Sequence, residues 1–132
     1  MTIYSNKAEF QIVDFSATHS QLLLRSLSTK DRGYNVDIIF KGVERLFLST
    51  SFAGVEISVL KNKEILFFLK DKFSFNDKYD KRIFSLKDNQ GQEFYINALC
   101  FGIYHNNLDI LETSIGRYDM DSLGELQKWY AD

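Results

Sequence analysis

A period of two runs along most of this chain. Val36, Ile38 and Phe40 alternate with Asp37, Ile39 and Lys41, and Val55, Ile57 and Val59 alternate with Glu56, Ser58 and Leu60. Successive side chains of a strand point to opposite faces, so the pattern predicts sheet with one face in a core. Strands are predicted over residues 9–15, 21–27, 35–41, 45–49, 54–60, 82–87, 93–104 and 108–113. Polar stretches at 16–20 and 28–33, and a tight reversal at Lys41-Gly42-Val43-Glu44, separate the early strands. Neighbours in sequence are therefore expected to be neighbours in the sheet. Asp88-Asn89-Gln90-Gly91 joins two alternating runs as a hairpin, with Gly91 a candidate for positive φ. On its return strand, Phe94, Ile96, Ala98 and Cys100 are expected on one face, and Tyr95, Asn97, Leu99 and Phe101 on the other.

Two segments depart from this period. In residues 63–73, Ile65, Phe68, Leu69 and Phe73 have helical spacing, while Leu66 and Phe67 extend an apolar run that a buried strand also explains. Glu64 at the start, and Lys70 and Lys72 at the end, favour the helix. Near the C-terminus, Ser122 and Glu125 have capping-box spacing, and Leu123, Leu126, Trp129 and Tyr130 share a helical face. A short terminal helix on the sheet is predicted, although Gly124 weakens it by about 1 kcal/mol relative to Ala. The expected fold class is α+β and mostly antiparallel β. One domain over residues 1–132 would hold a β-meander sheet with a short C-terminal helix.

Composition supports sheet. There are 12 Phe and 7 Tyr against 1 Trp, and aromatic rings suit a pleated surface. The chain has 0 Pro, where average usage is about 5%. Close strand pairing accounts for this, because Pro cannot donate a ladder hydrogen bond. The lone Cys100 excludes an internal disulfide and favours a reducing, cytoplasmic setting. The opening Met1-Thr2-Ile3-Tyr4 reaches Lys7 and Glu9 without the apolar run of a signal peptide. No apolar stretch is long enough for a spanning helix.

Net charge is −2, which gives no global drive toward nucleic acid or a membrane surface. The charge is uneven. Residues 61–87 hold eight Lys/Arg and four Asp/Glu, and residues 108–132 hold six acidic and two basic residues. Such blocks most often serve as solvated faces. The basic stretch interleaves its lysines with Phe67, Phe68, Phe73, Phe75 and Tyr79, a composition shared by single-strand nucleic-acid binders and ordinary cores. Without a domain-wide basic excess, the core reading is favoured.

Candidate chemistry is sparse. The chain has no phosphate loop, dinucleotide fingerprint, nucleophile elbow or zinc spacing. His19, His105 and Cys100 could supply three soft ligands but lack short metal-site spacing, so no metal or cofactor is expected. A Cys100–His105 nucleophile pair is disfavoured, because a buried thiol has a raised pKa. Asp14, Asp37 and Asp109 could form a carboxylate pair, but acidic residues in strands more often keep the chain soluble. The acidic, aromatic tail is the candidate partner surface: Tyr118, Asp119, Asp121, Glu125 and Tyr130. Trp129, in the helical apolar stripe, is assigned to packing rather than binding.

Three stretches carry a resemblance. Phe15-Ser16-Ala17-Thr18-His19-Ser20-Gln21-Leu22-Leu23-Leu24-Arg25-Ser26 puts a histidine turn before an apolar strand with arginine. Asn35-Val36-Asp37-Ile38-Ile39-Phe40-Lys41-Gly42-Val43 is the next strand, and Leu126-Gln127-Lys128-Trp129-Tyr130 is the end. Together they resemble small bacterial β-meander proteins of the immunity type, which neutralise a partner toxin by direct binding. The likeness spans roughly residues 10–60 and the tail, leaves residues 61–79 unmatched, and transfers no functional residue. It implies a non-enzymatic cytoplasmic protein-binding domain with another protein, a toxin, as partner. The competing expectation is a small enzyme or ligand-binding domain with a site between sheet and helix near His19 and His105. Homo-oligomer formation through an exposed strand edge is a third.

Overall fold

The alternation at residues 35–41 becomes a strand buried on both faces, and the sheet is built outward from it. The computed structural model describes residues 1–116 and 125–130. Its elements are β1 (Thr2–Ser16), β2 (Gln21–Ser26), β3 (Asn35–Lys41), β4 (Arg45–Phe47), β5 (Ser51–Val59), α1 (Lys63–Phe73), β6 (Arg82–Lys87), β7 (Glu93–Ala98), β8 (Cys100–Asn106) and β9 (Glu125–Tyr130). They form one antiparallel sheet in the order β4-β7-β6-β5-β1-β2-β3-β8-β9.

This is more than a simple meander. β1 is 15 residues long, enough to pair with β5 from Thr2 to Gln11 and with β2 from Gln11 to Ser16. β3 then pairs with the distant β8, and β4 with β7. The two ladders are continuous across a bend. Lys41 lies opposite Cys100, Leu99 N–H donates to Lys41 O at 2.9 Å, Glu44 N–H donates to Asn97 O at 2.9 Å, and Arg45 is opposite Asn97. Gly42 makes the bend feasible. Its φ is +65°, and Leu99 Cδ1 lies 2.5 Å from where a Cβ would stand.

Curling brings distant strands onto one core. Phe40 of β3 meets Phe84 of β6 at 5.7 Å between centroids, and Phe101 of β8 lies 5.0 Å from Phe40 and 5.5 Å from Phe84. The bend also shifts side-chain parity at Leu99. Ile96 and Ala98 face the core before it, and Phe101 and Ile103 after it. Cys100 is therefore only half-buried, and Phe101 does not share a face with Asn97. The unbroken alternation expected over residues 93–104 is corrected accordingly.

Residues 63–73 are helical. Asn62 caps the start by accepting from Ile65 N–H, and Ser74 ends the helix at φ 58°. Residues 108–113 are not a strand but a loop with a turn at Ile110 and Leu111. The predicted terminal helix is also corrected: residues 125–130 pair with β8 as β9. Tyr130 stacks on Phe101 at 4.8 Å, and Trp129 lies across Gly102, where the missing side chain makes room for its ring. The open edge of β8 thus outweighs the helical spacing, since tertiary packing overrides weak local propensity. Ser122, Leu123 and Gly124 lie outside the described residues.

Candidate docking surface

Helix α1 lies over the outer side of β6 and β7. Leu69 is its buried anchor, packed with Leu60, Phe75 and Ile83, and flanked by Ile65, Leu66 and Tyr95. The same helix leaves three phenylalanines in solvent: Phe67 is 71% exposed, Phe68 51% and Phe73 42%. Phe73 meets Phe68 at 5.5 Å and Phe47 of β4 at 5.9 Å, and Phe47 meets Tyr95 at 6.4 Å. Phe47 is itself 49% exposed. Single exposed apolar residues are ordinary, but contiguous rings on one face mark a contact surface.

This aromatic band adjoins the end of the sheet. All three β4 residues are exposed, and β4 pairs only with β7 among the described residues. Buried Asn97 fixes the neighbouring segment. Its Nδ2 donates to Asn76 O at 2.8 Å and Arg82 O at 3.0 Å, and its Oδ1 accepts from Asn76 N–H at 3.1 Å. Lys70 bonds Asp77 at 3.0 Å across the helix end. That hydrogen bond, and secondarily the ammonium charge, lowers the Asp77 pKa.

The described tail residues, Glu125 and Tyr130, fall elsewhere. Tyr118, Asp119 and Asp121 lie outside the described residues. Glu125 is opposite His105 in the β8–β9 ladder. Tyr130 is half-buried and packs on the main core.

The histidines are not brought together. His19 lies in the β1–β2 turn beside Gly116, at the Gln21–Lys41–Cys100 end of the sheet. His105 lies opposite Val36 and stacks on Tyr34 at 4.2 Å. Five residues of β3 separate these ends, roughly 16 Å. Burial pushes the Cys100 thiol up, partly opposed by Lys41 and Arg82. Among the described residues, no cluster of three or more His, Cys, Asp or Glu could hold a metal ion.

Asp14 and Asp37 both bind the segment that contains Asp109, in a structural role. Asp37 accepts from Arg25 Nε at 2.7 Å and Nη2 at 2.9 Å, from Asn106 Nδ2 at 2.7 Å and from Ser114 Oγ at 2.9 Å. Arg25 Nη1 donates to the carbonyls of Asp109 and Ile110. Asp14 accepts from Thr113 Oγ1 at 2.7 Å. These bonds strap residues 109–114 over the outer face of β1, β2 and β3, above Leu23, Ile39, Tyr104 and Ile115. Asp37 and Arg25 are spent on this strap. A groove of about 600 Å³ opens where β2 leaves β1, lined by residues including Gln11, Arg25, Ser26, Thr29 and Ser51.

No family model matches this chain, and no curated protein or solved structure matches it. Sequence reasoning favours the core for Phe67, Phe68 and Phe73 and does not single out Phe47, so it does not find the aromatic band. A usable signal was present: Phe67 is two residues from Leu69, about 200° around a helix.

Proposed function

We propose that this chain is a protein-binding domain that works by direct contact, with the aromatic band of α1 and β4 as its docking face. The observation that carries the reading is the set of touching, solvent-exposed rings Phe47, Phe68 and Phe73, with the more exposed Phe67 on the same helix, beside an open strand edge. Aromatic side chains supply large contact area at low entropic cost and dominate interface energetics. The narrower reading, neutralisation of a toxin in the cytoplasm, rests on the sequence likeness of residues 10–60 and the tail to immunity-type proteins. Direct occlusion of a partner requires no cofactor.

The test is quantitative affinity capture with the wild-type chain and with a Phe67→Ser/Phe68→Ser variant as bait. A single stoichiometric partner held by the wild type and lost by the variant supports the docking face. A partner held equally by both rejects that face, and no partner rejects the protein-binding reading. For the toxin reading, the captured partner should arrest growth when expressed alone and cease to do so when co-expressed with this chain. The groove between β1 and β2 favours a second reading, a small-ligand site, since its size suits small molecules. A metabolite thermal-shift screen addresses it.

A further inference from the structure

We infer that the strap at residues 109–114 and the loop at residues 27–34 open together as one unit, held shut by the side chain of Asn35. The inference goes beyond the docking face and does not depend on it. The loop leads into β3, and the strap follows the end of β8. Asn35 and Asn106 stand opposite each other at that end of the β3–β8 ladder, and both are buried. The Asn35 amide bonds both segments. Its Oδ1 accepts from Ser28 N–H at 2.9 Å, and its Nδ2 donates to Asn106 Oδ1 at 3.0 Å and to Leu108 O at 2.8 Å. Asn106 carries the contact onward. Its Oδ1 also accepts from Leu108 N–H at 3.2 Å, and its Nδ2 donates to Asp37 at 2.7 Å. Both hydrogens and the oxygen of the Asn35 amide are engaged.

Each segment is braced within itself. In the loop, Arg32 Nη2 donates to Ser26 O at 3.0 Å and Leu27 O at 2.6 Å, and its Nε donates to Tyr34 O at 2.9 Å. The strap is braced by Arg25, Ser114 and Thr113. Opening one segment unpairs a buried amide, which is costly. It also admits water to that amide, so the second segment then opens without the same cost. Two braced segments sharing one buried amide are therefore cooperative. The strap covers Leu23, Ile39 and Tyr104, while Ser28 and Thr29 of the loop line the groove beside β1. Opening uncovers that apolar face and removes the groove wall at once. Groove and strap are thereby linked, and whatever holds the wall also holds the strap.

Hydrogen exchange of the full chain in sub-denaturing urea tests the unit. The loop reports through Ser28 and Gly33, whose N–H groups donate to Asn35 Oδ1 and Thr29 O. The strap reports through Leu108 and Glu112, whose N–H groups donate to Asn106 Oδ1 and Asp109 O. All four amides should open with one free energy and one urea dependence, both below those of β6. Arg32→Ala loosens the loop, and Thr113→Val loosens the strap by removing its bond to Asp14. Each should lower protection at all four amides by a common factor, on the order of tenfold, and leave β6 unchanged. In an Asn35→Ala background, Arg32→Ala should act on Gly33 and no longer on Leu108 or Glu112. A loss confined to the mutated segment overturns the inference, as does strap exchange only through global unfolding at the rate of β6. Coupling that persists without the Asn35 amide overturns it as well.

Discussion

Arg25 and Asp37 form a two-pronged ion pair between adjacent strands, with neither side chain exposed to solvent. The pair is tied to the strap at residues 109–114 as much as to the sheet, because Arg25 also donates to two strap carbonyls and Asp37 accepts from Ser114. Removing one member of a buried pair leaves the other charge uncompensated, at a cost of about 3–5 kcal/mol. Asp37→Ala should destabilise the chain by that amount in urea unfolding. Amides of residues 109–114 should also exchange faster than those of β6. A loss below about 1 kcal/mol, the scale of a surface ion pair, would show that the pair is not buried in solution.

Trp129 and Gly102 give the C-terminal strand its own reporter. A Cβ on Gly102 would lie 2.8 Å from the Trp129 ring, and Lys41 Nζ sits 4.4 Å from that ring's centroid. Gly102→Ala should displace the ring and cost about 1–3 kcal/mol, as overpacking does. Trp129 is the sole tryptophan, so its emission should move to the red. An unchanged spectrum and stability would reject the placement of β9 against β8.

Legibility in the sequence follows physical cause. The boundaries of β3 and β6 were readable because their apolar alternation and the turns beside them agree. Helix α1 is left open by the sequence, since its apolar run also fits a buried strand and only its end charges favour a helix; its buried stripe is narrower than its apolar content. β9 was misread because Leu126, Trp129 and Tyr130 fit a helix locally, while the decisive partners, Phe101 and Gly102, lie more than twenty residues away. The parity slip at Leu99 was hidden for a similar reason. It depends on Gly42 across the bend. The docking face was the least legible, since a phenylalanine on a helix says nothing by itself about which side the sheet covers.

Tyr104 sets an alkaline limit on stability. Burial, with a smaller contribution from Cys100, pushes its hydroxyl up to about 12. Tyr95 is likewise pushed up to about 12, first by burial and then by its bond to Glu93. A raised folded-state value means that the folded chain holds its proton more tightly. This contribution is fully present below the unfolded value, about 10, and is lost as pH rises from there through 12. Stability should therefore fall over that window, and Tyr104→Phe should flatten the fall. Tyrosinate absorbance should show late-titrating groups in the folded chain that titrate normally in urea. All tyrosines ionising together near 10 would remove the basis for this limit.

Phe67 and Leu69 are two residues apart on α1 and should respond oppositely to truncation. Leu69 is 2% exposed within its cluster, and Phe67 is 71% exposed. Leu69→Ala should cost about 2–5 kcal/mol. Phe67→Ser should stay within about 0.5 kcal/mol of the wild type, because it is a surface change between residues of similar helix propensity. The same Phe67→Ser change should weaken partner capture, since a ring that contributes nothing to folding is free to contribute to contact. If Phe67→Ser instead unfolds the chain as Leu69→Ala does, the ring is packed in solution and the docking face loses its most exposed member. If both leave stability untouched, α1 does not rest on β6 and β7, and the aromatic band has no fixed geometry on which a partner could act.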